Sequence, residues 1–80
     1  MVFGMGKPNI KKMQREKNVE ELIKLLEHED KKVRTKAVYA LGEIGDTRAV
    51  EPLTNRLKYE KMYTRARVAW ALNELGWKEK

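Results

Sequence analysis

Residues 19–45 reappear at 50–76: shifted by 31 positions, the two stretches share ten identities in 27 places. Val19, Leu22, Leu26, Arg34, Leu41 and Gly45 meet Val50, Leu53, Leu57, Arg65, Leu72 and Gly76 among them. A period of this size, with apolar residues at helical spacing inside each unit, marks an array of stacked helix pairs. Such arrays present surfaces to partners. The period therefore constrains both the fold and the kind of work the chain can do.

The apolar spacing places the helices. After Asn18, Val19, Leu22, Ile23 and Leu26 form one stripe, with Leu25 on a flank. Asn18 reads as an N-cap with Glu21 three residues on as its capping-box partner, and this helix is expected to run to about His28. Asp30 is expected to cap the next helix, where Val33, Ala37, Ala40, Leu41 and Ile44 share a face. Small Ala37 and Ala40 let helices approach closely. Gly45 and Gly76 read as stops, because a left-handed residue after a helix is cheap only for glycine. Asp46 and Thr47 offer the cap of a third helix, with Val50, Leu53 and Leu57 inward and Pro52 near its first turn. A fourth begins near Met62 and carries Val68, Ala71, Leu72 and Leu75, with Trp77 expected to fold back on its last turn. Upstream, Pro8 or Asn9 opens a short leader helix to about Glu16, with Ile10 and Met13 on one side. No strand pattern appears.

Ile23 and Leu25 of the first unit become Thr54 and Arg56 in the second. The first helix is thus apolar on its flanks, where Ile10 and Met13 are expected to cover it. The third is expected to face water on that side. The expected organisation is one domain over 1–80: a leader at 1–17, one helix pair at 18–45 and a second at 49–76.

Charge narrows the partners. The chain carries a net +6, unevenly placed. Residues 1–17 hold five bases and one acid, 18–45 five bases and six acids, and 46–80 eight bases and five acids. A general polyanion binder would carry a basic stripe through every unit, and the first unit supplies none. Charged residues are 38% of the chain while amides are few, a thermophile-like balance. Cysteine is absent, so there is no disulfide framework and no thiolate metal site, which fits a reducing cytoplasm. No apolar run reaches the roughly 20 residues a membrane span needs. Met1–Gly6 lacks the basic start and long apolar stretch of a signal peptide.

Catalysis finds little to work with. Ser and Cys are both absent, which removes the commonest nucleophiles. His28 is the one histidine, and with scattered acids it makes no metal constellation. Its equivalent in the second unit is Tyr59, which argues for a surface place. Gly42 and Gly45 lie in the repeat rather than in a phosphate-cradling strand–turn–helix. The expectation is no enzyme, no cofactor and no metal.

The stretch Asp30–Leu53 carries D-x-x-V-R-x-x-A-x-x-A-L-G-x-I-G-D-x-R-A-V-x-P-L, from Asp30, Val33 and Arg34 through Gly42 and Gly45 to Pro52 and Leu53. In this it resembles the HEAT-like repeat of the phycobilisome-lyase type. The likeness covers about 18–76. The second unit departs from the pattern at Lys61, Thr64, Val68 and Asn73. The resemblance implies an all-α fold, an α–α superhelix or HEAT-like solenoid of two helix-pair repeats behind a short leader helix. It implies that the second helix of each pair lines the concave surface, and mostly protein-binding roles. Bilin lyases and nucleic-acid-binding repeat proteins also belong to that type, so an accessory subunit is implied by family alone. No catalytic motif carries over.

On the second helix, Thr35, Tyr39 and Gly42 point away from the expected core, with Val38 bordering them. Their equivalents on the fourth are Ala66, Trp70 and Asn73, bordered by Ala69. Tyr39 and Trp70 are expected to form a short aromatic ladder, of the residue types that anchor interfaces. The competing reading packs the rings on helix stems. Lys36 and Arg67 are equivalent bases at the edge of this face. The expected contacts for a protein or peptide partner are thus Tyr39, Trp70, Lys36, Arg67, Asn73 and Thr35. Nucleic acid is the alternative partner, through Lys36, Lys61, Arg67 and the leader's Lys7, Lys11, Lys12, Arg15 and Lys17. Arg34 and Arg65 recur in both units and are expected to tie turn groups such as Asp30 or Asp46 rather than form a basic rim. The chain is expected to be a monomer or a weak homodimer, since Met62 and Tyr63 lie near an uncovered side.

Overall fold

A computed structural model describes residues 8–78. The readings placed on Met1–Gly6 and Lys7 lie outside the described residues. Helix α1 spans Ile10–Arg15 and α2 spans Val19–Lys24, continued by a 3-10 turn at Leu25–Glu27. Helix α3 spans Lys31–Ile44. A second 3-10 turn at Thr47–Ala49 leads into α4, Val50–Leu57, and α5 spans Met62–Glu74. Among the described residues there is no strand. The chain is an all-α helical repeat.

The helix ends follow the local chemistry. Asn9 accepts from the Lys12 N–H at 3.1 Å and opens α1. Asp30 accepts from the Lys32 N–H at 2.8 Å and opens α3. Asp46 does the same for Arg48 at 2.9 Å. Gly45 closes α3 at φ 78°. At Gly76, φ 82°, the Trp77 N–H bonds the Leu72 carbonyl and the Gly76 N–H bonds that of Asn73. This double closure folds Trp77 back onto the core, as expected.

The capping box at Asn18 does not form: Asn18 makes no side-chain cap. The Asn18 N–H that Glu21 would take is already donated to the Met13 carbonyl at 2.8 Å. That bond belongs to the turn closing α1, which holds Lys17 at φ 53°. Glu21 lies 3.5 Å from Lys24 instead. The first long helix is also shorter than expected. It tightens to 3-10 geometry at Leu25, and His28 is half-buried, its Nδ1 accepting from the Asp30 N–H at 3.0 Å.

The two hairpins share one core. Leu22, Leu41, Leu53 and Leu72 are buried in a single cluster with Val68, and Ala37, Ala40 and Ala71 are the small residues that let the helices close. Ile10 and Met13 pack against that cluster. Helix α1 lies on α3 as well as on α2. Helix α3 is therefore enclosed on three sides, by α1, α2 and α5. This explains why Val38, read from the sequence as bordering the open face, is buried.

The second unit's departures have local effects. Lys61 stands where Asp30 caps α3, and α5 begins with no side-chain cap and with Met62 at φ 54°. A non-glycine residue there is strained. Lys61→Asp is expected to supply the missing acceptor and raise stability by about 1 kcal/mol. A rise of roughly 4–8 °C in Tm by circular dichroism is the matching readout. Unchanged melting would mean that the start of α5 frays regardless of its cap.

Candidate functional site

The 31-residue shift sets Tyr39 on α3 against Trp70 on α5. Their rings stack with centroids 5.1 Å apart and planes 11° from parallel. Gly42 makes the approach possible. A Cβ built there would lie 2.5 Å from Trp70 Cζ3 and 3.1 Å from the Ala71 Cα. Only a residue without a side chain lets the indole rest on the α3 backbone. Gly42, expected on the open face, is therefore buried beneath Trp70, whereas its equivalent Asn73 is exposed. Trp70 is half-buried. Tyr39 keeps 42% of its surface exposed.

Arg67 sits among these rings. Its guanidinium carbon lies 5.5 Å from the Tyr39 centroid, 5.2 Å from Tyr63 and 5.8 Å from Trp70. Nε and Nη2 donate to the Tyr63 hydroxyl at 3.0 and 2.8 Å. The cation is fixed by ring faces, which attract it electrostatically, and by a neutral phenol. No ion pair among the described residues involves Arg67, Lys36 or Lys11.

A groove of about 650 Å³ runs between α1, α3 and α5. It brings together Thr35, Lys36, Tyr39 and Arg67 of the expected set. Trp70 backs Tyr39 and Arg67 without lining the groove, and Asn73 stands apart from it. The Thr35 hydroxyl is already engaged. It donates to the Lys31 carbonyl at 3.0 Å and lies 2.9 Å from the hydroxyl of buried Thr64. The lining also includes residues outside the expected protein-contact set: Pro8, Asn9, Ile10, Lys11 and Gln14 at and before α1, and Tyr63 from α5. The spacing of Ile10 and Met13 predicts that α1 covers α2, and nothing in it shows that α1 also walls a groove.

The recurring arginines are structural, with partners other than those expected. Arg34 Nε donates to Glu60 Oε2 at 2.7 Å, and Nη1 donates to the carbonyls of His28 and Glu29 at 2.8 and 3.1 Å. Arg65 donates to the Leu57 carbonyl. Arg56, expected to face water, turns inward and donates through Nη2 to Glu60 Oε2 at 2.7 Å. Burial pushes the Glu60 carboxyl up, but the hydrogen bonds and charges of Arg34 and Arg56 outweigh it and hold the group below its ordinary 4.5. Asp46 is paired with Arg48 at 2.8 Å. The Arg48 hydrogen bonds draw the Asp46 carboxyl below its usual range.

Among the described residues no group of His, Asp and Glu is placed to hold a metal ion. None of their helices is long and apolar enough to cross a membrane. A family model described as HEAT repeats matches residues 3–79. No curated protein matches the chain.

Proposed function

Because this chain belongs to the HEAT repeat family, whose members are commonly interaction scaffolds, we propose that it is a non-catalytic module that binds a protein or peptide on the face formed by α3 and α5. Tyr39 and Trp70 supply the apolar anchor. Lys36, Arg67 and Asn73 supply polar contacts around it, and Thr35, whose hydroxyl already bonds the Lys31 carbonyl, lines the groove beside them. The unit that does this is the single domain 1–80, with its repeats at 18–45 and 49–76. The repeat pattern at Asp30–Leu53 supports placing it with the phycobilisome-lyase type, and the lack of cysteine supports a cytoplasmic setting.

One observation carries the reading: a stacked aromatic pair, partly open to solvent, beside an arginine that has no carboxylate partner among the described residues. Rings and arginines of this kind dominate interface energetics. Keeping them uncovered gives up hydrophobic stabilisation that a buried ring would contribute.

Tyr39→Ala is the clean test, since Tyr39 is exposed whereas Trp70 also covers Gly42. A partner captured by the wild-type chain is expected to bind the variant about tenfold or more weakly, a loss of roughly 1.4 kcal/mol or more. Helicity is expected to stay unchanged by circular dichroism. Undiminished affinity would place the docking surface elsewhere. Unfolding of the variant would make the ring a structural one.

A further inference from the structure

We infer that the groove between α1, α3 and α5 selects a peptide segment carrying an aspartate or glutamate beside an apolar residue, an inference that rests on the α3–α5 face being the docking surface. Among the described residues three cations line the groove, Lys11, Lys36 and Arg67, and no acidic residue does. No described residue of the lining supplies their counter-charge, and a partner's carboxylate would.

The three cations are not equivalent. Lys11 and Lys36 are exposed, and exposed lysines steer an anion more than they hold it. Arg67 is half-buried and immobilised by its bonds to Tyr63 and by three rings. Ordering it was completed when the chain folded, so a carboxylate that pairs with it loses little side-chain entropy. Nε and Nη2 both spend themselves on one phenol oxygen. Nη1 makes no hydrogen bond with the described residues and is a donor for an incoming oxygen. The ring faces beside it lower the local polarity, which strengthens a charge-assisted bond. Tyr39 lies within cation–π range of the same guanidinium and lines the same groove. It offers an apolar surface to the residue next to the acid.

Size and charge distribution favour a peptide over a nucleic acid. About 650 Å³ lies within the usual range for small, shaped pockets and accommodates a few residues. A nucleic-acid strand needs cations repeated along its path. The cleft on the other side of α1 already contains Glu43 among its bases, and residues 18–45 have one more acid than base.

The test is selection of a random twelve-residue library, displayed without an exposed C terminus, on the full chain. The enriched peptide is then synthesised and titrated against the wild type, Tyr39→Ala and the pair Lys11→Glu with Lys36→Glu. The expected result is a consensus with an acid next to an aromatic or aliphatic residue. Its affinity should fall about tenfold in the charge-reversed pair and also fall in Tyr39→Ala. A consensus without acids that still depends on Tyr39 overturns the acid selection and leaves the docking face standing. A consensus indifferent to all three substitutions, or no enrichment, overturns both. A twelve-nucleotide thymidine strand that binds more tightly than the selected peptide also overturns the proposal, by making nucleic acid the better ligand.

Discussion

Glu60→Ala is expected to lower the unfolding free energy by about 3–5 kcal/mol. Glu60 lies in the loop between α4 and α5 and is only 5% exposed. Its Oε2 accepts from Arg34 Nε and from Arg56 Nη2, each at 2.7 Å, and its Oε1 accepts from Arg34 Nη2 at 3.4 Å. Arg34 belongs to α3, so the carboxylate ties the second hairpin to the first. Removing it strands two guanidinium groups that are 18% and 19% exposed at the side chain. That stranding is the main cost, since two partly desolvated cations would then face each other. A chain of this size has roughly 0.05–0.15 kcal/mol of stability per residue, so the variant should approach its folding threshold. By contrast, Glu20→Ala breaks a pair whose side chains are 56% and 70% exposed. It is expected to cost less than about 1 kcal/mol.

The same carboxylate gives a pH dependence of defined sign. Its folded value lies below its ordinary 4.5, so near that value the unfolded chain binds the proton more readily than the folded one. Its contribution is then fully present above the ordinary range and is lost as pH falls through the depressed folded value. Urea titrations of the wild type and Glu60→Ala should differ widely at pH 7 and converge in strong acid. A gap that persists unchanged in acid would assign the loss to packing rather than to charge.

Gly42→Ala is expected to destabilise by about 1–3 kcal/mol, against the ordinary trend. Glycine inside an exposed helix usually costs about 1 kcal/mol relative to alanine, so the substitution would normally help. Here the new methyl meets Trp70 Cζ3 at 2.5 Å and the Ala71 backbone at 3.1 Å. Neither a rigid indole nor a helix backbone yields cheaply in a packed interior. The ring must tilt away from Tyr39 or α5 must move outward. Asn73→Ala provides the control at the equivalent, exposed position, and is expected to be neutral or slightly stabilising. Equal responses at the two positions would mean that α5 does not rest on Gly42.

Much of this architecture was readable from spacing alone. The helix pairs, the glycine stops at Gly45 and Gly76, the cap at Asp30 and the pairing of Tyr39 with Trp70 all follow from the 31-residue shift and the 3.6-residue period. Periodicity reports which way a residue faces relative to one neighbour. It fails for α3, which has neighbours on three sides, and so the pattern puts Gly42 on the open face and Val38 at its border. Glu60 was visible as an identity with Glu29, but its partner Arg34 is 26 positions away in the other hairpin. Only the stacking of the hairpins brings them together. The α1 wall of the groove was invisible for a related reason. A six-residue helix is aimed by the turn at Lys17 and by what it packs on, not by its own pattern.

Everything proposed for the α3–α5 face depends on the two helices meeting in the register that puts Trp70 over Gly42 and against Tyr39. A nuclear Overhauser spectrum of the isolated chain tests this without any partner. We expect strong cross-peaks from the Trp70 ring protons to the Gly42 Hα and to the Tyr39 ring, with the Gly42 Hα shifted upfield beneath the indole. A folded, helical chain whose Trp70 ring shows neither set of contacts would contradict the register and remove the face built on it.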